Sequence, residues 1–309
     1  MSKDRKAWIA AVLGLAYPGV GHLYAGQVRA AVALMAAVPL LAAPLVVAGA
    51  VHLPRPLNII GLWGGLGAVL LVGSLGGGLA ANRAPRPFQL GPANRWWLYA
   101  GLILLNVFVI GPLSRSAIRS YIAQAFRIPS EAMVPTILPG DYVYVDSDTG
   151  SPAPGEIVAF QSVEETGLRV LKRVVAVGGD TLEMRDGHLR RNGELVGEPH
   201  AVSTDPAAQA DRLSVIKMLA WQSPLLTRDT AGYVPSVRTW GPIVIPQGTF
   251  FDLGDNRDAS YDSRYYGPVP TANIVGRVQA VYYSYDPASY RPLPQLSSIR
   301  WRRLGLILR

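Results

Sequence analysis

The chain has 309 residues, no cysteine and a formal net charge of +8. That length suggests two units. The absence of cysteine excludes a disulfide framework and thiol catalysis, and the four scattered histidines, His22, His52, His188 and His200, point away from a metal site or a Ser-His-Asp triad. A basic chain invites a nucleic-acid reading. Here the arginines gather at the ends of apolar runs and at the C-terminus, which suits membrane flanks better.

The first apolar run, Ala7 to Tyr24, is interrupted at Pro18-Gly19. Ala30–Val51 and Leu57–Ala81 follow without a charge, and Trp97–Leu113 opens on an aromatic group, Trp96, Trp97 and Tyr99. Three such runs with almost no polar face read as membrane spans rather than buried core helices. Glycine-rich Gly61–Gly78 is suited to close packing against a neighbouring helix. Lys3, Arg5 and Lys6 favour a cytoplasmic N-terminus, and Arg83, Arg86 and Arg95 a cytoplasmic second loop. Both hold if Ala7–Tyr24 does not cross, so it is expected to be a re-entrant or interfacial hairpin. The segment after Leu113 is then outside. A cleaved signal peptide is the alternative for this stretch, but its small-residue site is poor and three spans follow. Pro85–Pro92 reads as a short Pro-rich loop. Ser114–Gln124, carrying Arg115 and Arg119, reads as the exit of the last span. The expected membrane domain is 1–119.

From Phe126 the pattern changes to short strands with turns: Tyr142–Val145, Ile157–Phe160, Arg169–Val177, Thr181–Arg185, His188–Asn192, Thr249–Leu253 and Val275–Tyr285. Gly155, Gly178-Gly179, Asn192-Gly193 and Gly267-Pro268 punctuate them, which predicts a mainly antiparallel β domain over 120–309. An insertion at about 198–246 carries Trp221, Trp240 and several prolines.

Three stretches hold the chemistry. Phe126–Val145 reads FRIPSEAMVPTILPGDYVYV, two proline stops and a Gly-Asp turn that fix a non-repeating backbone. Leu171-Lys172-Arg173-Val174-Val175 lies in a strand ending at Gly178-Gly179-Asp180. Phe251–Arg264 reads FDLGDNRDASYDSR. In this order they resemble the bacterial type I signal peptidases, with their IPSxSMxPTLxxGD, KRVVxxxGD and GDNRxxSxDSR motifs and a serine–lysine dyad. The last motif is long and hard to meet by chance. The 198–246 insertion resembles the variable second lobe of that family. One position departs: Ala132 stands where the family has its nucleophilic serine.

The resemblance implies roles residue by residue. Lys172 is the general base, which requires a neutral amine well below the reference value of about 10.4; its neighbours Val170, Leu171, Val174 and Val175 suit such a desolvated lysine. Taken alone, Lys172-Arg173 reads as an ordinary exposed basic pair. Ser130 helps to form the oxyanion hole with the backbone N–H of Ala132, or else simply caps a turn. Ser260 orients the lysine. Asp255, Arg257, Asp262, Arg264 and Arg173 form a supporting carboxylate–guanidinium framework. Substrate binds as an added strand between Phe126–Ser130 and Arg169–Lys172. Phe126, Ile128, Pro129, Met133, Ile137, Val170 and Leu171 are the expected substrate contacts, with shallow pockets for Ala-x-Ala-type sites. Glu131 replaces a glycine common in the family. No cofactor and no metal are implied. Expected partners are signal peptides of exported preproteins, the bilayer and the secretion translocon, on the outer face of a bacterial plasma membrane. Ile299–Ile307, with Arg300, Arg302 and Arg303 among apolar residues, is either a membrane-surface contact or a solvated tail.

Without a hydroxyl at 132 the chain is expected to be inactive. Ser130 is two residues away and a poor substitute. One explanation is an engineered Ser→Ala in a competent enzyme; the other is a natural pseudoprotease that binds signal peptides or chaperones a surface protein. Retention of Ser130, Lys172 and Ser260 favours the first. A membrane-anchored relative of the self-cleaving Ser-Lys repressors is a third class, opposed by the hydrophobic half and the lack of a helix-turn-helix pattern.

Overall fold

The computed structural model describes residues 5–51, 53, 57, 60–85, 95–114, 116, 123–146, 150–205, 209–227 and 231–308. The expectations for Lys3, His52, Arg86, Arg115, Arg119 and most of the Pro85–Pro92 loop lie outside the described residues. The chain divides into two units, Met1–Gln124 and Ala125–Arg309, a boundary slightly later than the sequence-based 119.

In the first unit, α1 (Ala7–Ala16) stops before Pro18, which cannot continue its hydrogen bonds. Gly19, at φ 102, supplies the left-handed turn into α2 (Val20–Tyr24). The chain folds back on itself: the Arg5 guanidinium lies 4.5 Å over the Tyr24 ring. Three helices are long and apolar enough to cross a membrane, Val28–Gly49, Ile60–Asn82 and Trp97–Ser114. At 1.5 Å per residue they are roughly 27–35 Å long, against a hydrocarbon core of about 30 Å.

Small residues let these helices approach closely. A Cβ on Gly14 would stand 2.5 Å from the Gly73 carbonyl oxygen, and one on Gly77 2.9 Å from the Gly21 Cα. Backbone contact of this kind is how helices associate where lipid removes the hydrophobic drive. Ser74 donates to the Ala11 carbonyl at 2.9 Å. Buried Asn106 donates to the Met35 carbonyl at 2.6 Å and accepts from the Tyr17 hydroxyl, so its amide is satisfied without water.

The second unit is a mainly antiparallel β domain. Its strands are β1 (Ala123–Arg127), β2 (Asp141–Asp146), β3 (Ile157–Gln161), β4 (Arg169–Val177), β5 (Thr181–Arg185), β6 (His188–Arg191), β7 (Glu194–Leu195), β8 (Trp240–Val244), β9 (Thr249–Leu253), β10 (Val269–Pro270), β11 (Ile274–Ser284) and β12 (Leu306–Ile307). The large sheet runs β1-β2-β11-β3-β4-β9-β10, with β12 also on β11; a second sheet runs β7-β6-β5-β8. The 198–246 stretch contributes β8 and the helix Arg212–Gln222, capped by the Asp211 side chain.

β4 positions the site because it changes partner midway. Arg169–Arg173 pair with β3, while β9 pairs only from Arg173 to Val177. On that second side, Arg169–Lys172 have no strand partner among the described residues. Alternation along β4 sends Val170 and Val174 to a core with Phe160 and Phe250, and Leu171 to the opposite core with Ile128 and Val143.

Candidate active site

Lys172 lies on the Val170–Val174 side of β4 and is only 4% exposed. Its Nζ donates to the Ser260 hydroxyl at 2.7 Å. Burial pulls the ammonium below the ordinary lysine range, more strongly than the nearby Asp262 and Asp252 carboxylates hold it up. The sequence-level reading of Lys172-Arg173 as an exposed basic pair is therefore wrong for both residues, since Arg173 is buried too.

Ser260 is held by the loop that begins at Gly254. Arg173, next to the lysine, grips Asp255 through Nε at 2.8 Å and Nη2 at 2.7 Å. Asp262 accepts from the Gly254 N–H at 3.0 Å and from Arg264 Nε at 2.8 Å. Burial alone would raise the Asp262 carboxyl, but Arg264, Lys172 and the Gly254 N–H together outweigh it and the net shift is downward. Arg257 pairs with Glu198 and donates to the Gly254 carbonyl at 3.1 Å.

Gly254 is also where residue 132 arrives. A Cβ there would fall 2.2 Å from Ser260 Oγ and 2.5 Å from the Ala132 carbonyl oxygen. Only a hydrogen fits between the two segments. The Asn256 N–H donates to the Ala132 carbonyl at 3.1 Å and its side-chain amide to the Glu131 carbonyl at 3.3 Å. Thr136 donates to Asp255. The four residues assigned from the motifs therefore differ in setting. Lys172 and Ser260 are bonded and buried, Ala132 adjoins Ser260 across Gly254, and Ser130 is exposed with no hydrogen bond to a described residue.

The expected substrate contacts divide. Phe126, Val170 and Leu171 are half-buried and Pro129 is exposed. The Arg169 guanidinium lies 5.5 Å over the Phe126 ring, so the two strand edges come near one another. Ile137 is fully buried, and Met133 and Ile128 nearly so. These three pack with Val143 and Val145 in the core beneath the loop and do not present pocket walls. The correction has a simple cause: a tight loop with apolar residues on both sides of its turn sends some of them inward.

Sequence reasoning missed five residues here. Asn256 clamps the Glu131–Ala132 backbone. Asp252, fully buried near the lysine, accepts from the buried Ser263 and the partly buried Tyr266 hydroxyls. The available signal was a lone carboxylate in an apolar strand, Phe250-Phe251-Asp252-Leu253. Burial first, and Asp262 second, push Asp252 up to about 7. His200 lies 3.8 Å from Asp255 and is lowered by burial and by Arg173. Among the described residues no His, Cys, Asp and Glu group is arranged to hold a metal.

Apolar helices long enough to span, followed by an antiparallel β domain that buries a serine-bonded lysine, define a membrane-associated protein with a serine–lysine site. The family model for signal peptidase, peptidase S26, matches residues 97–283, more than half of the chain. The chain belongs to that family. It is 32% identical over 209 residues to signal peptidase I of Pseudomonas aeruginosa, covering 59% of this chain and 72% of that one. It is 31% identical over 210 residues to signal peptidase I of Aquifex aeolicus, covering 57% and 81%. A crystal structure of a signal peptidase I from Enterococcus faecalis is 28% identical over 41% of this chain and 96% of that chain; its TM-score of 0.28 is too low to bear on the fold.

Proposed function

We propose that this chain binds signal peptides of exported preproteins at the outer face of a bacterial plasma membrane, and that Ala132 leaves it unable to cleave them. Its site is built for serine–lysine hydrolysis after Ala-x-Ala-type sequences. The relatives are signal peptidases I, which supports the substrate class. The observation that carries the reading is the buried 2.7 Å Lys172–Ser260 contact, kept intact beside residue 132. In the serine form, the hydroxyl at 132 attacks, Lys172 takes its proton, Ser260 orients the amine, and Ser130 with the N–H of residue 132 receives the oxyanion. An alanine methyl cannot attack.

The signal peptide adds as a strand along the open side of Arg169–Lys172, facing Phe126–Ser130. Phe126, Pro129, Val170 and Leu171 are the side chains it meets. The first unit supports the orientation. The Gly78 Cβ position lies 3.5 Å from the Ala7 carbonyl oxygen, and the Tyr99 hydroxyl donates to the Leu23 carbonyl at 3.3 Å. The start of α1, the end of α2, the end of Ile60–Asn82 and the start of Trp97–Ser114 therefore lie together. Arg5, Lys6, Arg83 and Arg95 gather at this end, which we assign to the cytoplasm. α1 enters there and α2 returns there, as a re-entrant hairpin does. The secretion translocon is the candidate protein partner.

The test is cleavage of a purified preprotein in lipid by this chain and by Ala132→Ser. Cleavage after a small residue by Ala132→Ser alone, abolished by Lys172→Ala, upholds the reading. If Ala132→Ser stays inert while both proteins bind signal peptide, the chain is a pseudoprotease, the second reading that the alanine itself favours.

A further inference from the structure

Among the described residues, the buried charges of the second unit are ion-paired, with two exceptions. Arg173 meets Asp255, Arg264 meets Asp262, Arg257 meets Glu198, Arg303 meets Asp141 and Arg185 meets Glu183. Among the described residues this leaves one buried ammonium, Lys172, and one buried carboxyl, Asp252, without an ion-pair contact within 4.0 Å.

The two leftovers share a face. Val174 lies directly opposite Asp252 in the β4–β9 register. Lys172 precedes Val174 by two residues, so its side chain points to the same side of the sheet, and Lys172 and Asp252 are diagonal neighbours. Asp252 has no exposed surface. Its Oδ2 accepts from Ser263 Oγ at 2.6 Å and its Oδ1 from the Tyr266 hydroxyl at 2.7 Å. The Asp252 N–H donates to the same Ser263 oxygen at 3.0 Å. The carboxyl is thus fixed in place by two hydroxyls, and no cation claims it.

We propose that Asp252 is a positioning residue for the lysine, the buried carboxyl that shares one proton with Lys172 and so sets when the amine is free. With the proton on Nζ, an ammonium faces a carboxylate. When Nζ has released its proton to solvent and Asp252 has taken one up from solvent, a free amine faces a carboxylic acid. The pair contributes no net charge in either state, so the amine can become a base without leaving an uncompensated buried charge. The two groups titrate as a coupled pair. The inference rests on the reading of Lys172 as the base.

The surroundings favour neither member outright. Lys172 is faced by the Ser260 hydroxyl, by Asp262 and Asp252, and more weakly by Arg264 and Asp255. Asp252 is faced by Ser263, Tyr266, Asp262 and Lys172. Two hydroxyls stabilise its ionised form; burial and Asp262 oppose it. A value near 7 for the carboxyl and a lowered lysine bring the two proton affinities toward each other.

The test uses the full chain as it stands, in lipid nanodiscs. It has only four lysines, Lys3, Lys6, Lys172 and Lys217. Selective 13Cε-lysine labelling therefore yields few signals, and Lys172→Arg identifies the one of interest. Asp252→Asn keeps one carbonyl oxygen to accept from a hydroxyl, offers an amide N–H to the oxygen of the other, and cannot ionise. It is expected to lower the Lys172 titration midpoint by at least about one pH unit, a tenfold change in proton affinity, with the Lys217 signal unmoved as the folding control. Tyr266→Phe, which removes one donor from the carboxylate, shifts the midpoint the same way by less. An unchanged Lys172 midpoint in folded Asp252→Asn overturns the proposal, and so does an upward shift. In the Ala132→Ser background, the acid limb of the cleavage–pH profile moves to lower pH with Asp252→Asn. If the midpoint moves but Ala132→Ser never cleaves, the proton pair stands and the base role of Lys172 fails.

Discussion

Arg173 and Asp255 meet through two parallel N–H···O contacts, 2.8 and 2.7 Å long, with both side chains almost wholly out of water. This pair fastens the loop carrying Ser260 to the strand carrying Lys172. Neighbours on one strand, Lys172 and Arg173 point to opposite faces, one to the serine and one to the clamp. Asp255→Ala leaves the guanidinium buried without its carboxylate, beside the Gly155 carbonyl at 2.7 Å. Removing one partner of a buried pair costs about 3–5 kcal/mol. The measurement is the chemical-unfolding midpoint of the lipid-embedded chain; a loss under about 1 kcal/mol means water replaces the carboxylate and the clamp is dispensable.

Restoring the hydroxyl is the test of function. Nucleophile loss in serine enzymes leaves roughly 10³–10⁴ over water from binding and the oxyanion hole. Ala132→Ser is therefore expected to raise cleavage of a preprotein by several orders of magnitude, and Lys172→Ala to remove the gain. A serine revertant no faster than the alanine chain refutes the dyad.

Gly254→Ala is expected to abolish signal-peptide binding. The added methyl carbon would lie 2.2 Å from Ser260 Oγ and 2.5 Å from the Ala132 carbonyl oxygen. The first neighbour is a short side chain and the second is backbone, so neither yields cheaply. Binding of a fluorescent signal peptide reads the effect; affinity within twofold of the parent means the loop relaxes without disturbing the site.

Asp252 gives a stability signature distinct from catalysis. Burial, and then Asp262, push its carboxyl up to about 7 in the folded chain, against about 3.9 for an ordinary aspartate. The unfolded chain loses this proton first as pH rises. Between about pH 4 and 7 the folded state binds more protons at this position, so its contribution to stability falls with rising pH. Asp252→Asn removes that slope. The difference in Tm between the parent and the variant is expected to narrow as pH rises across this interval when the parent is the more stable at pH 4. A difference that does not change with pH rules the titration out.

Helix packing in the first unit offers a separate check. Gly73 faces Gly14 and Pro18, where a Cβ would meet Pro18 atoms at 2.8–3.1 Å. Gly73→Leu is expected to dislodge the α1–α2 hairpin. Accessibility of a cysteine introduced at Ala16 to a membrane-impermeant thiol reagent monitors this; unchanged labelling shows that the hairpin does not depend on the glycine contact.

Much of the architecture was readable locally. Apolar runs of about bilayer length, the break at Pro18-Gly19, and alternation between turns announce themselves over a few residues, because helix length and strand period are short-range properties. The strands Arg169–Val177, Thr181–Arg185 and Thr249–Leu253 were placed correctly. The short β7, β10 and β12 and the inserted β8 were not, since two to five residues carry no period of their own and exist through their partners. The resemblance of the three motifs to a known family implied Lys172, Ser260 and Ala132, because a motif is legible in the chain without its fold.

Composition and periodicity by themselves determined an apolar helical half and a β half, and the motif resemblance added the residues of a serine–lysine site and the missing hydroxyl. The tertiary structure alone decided which of those residues meet. It turned Ile128, Met133 and Ile137 into core and brought Asp252 beside Lys172 from eighty positions away. Burial and electrostatic pairing are sums over neighbours distant in sequence, and only the folded sheet specifies those neighbours.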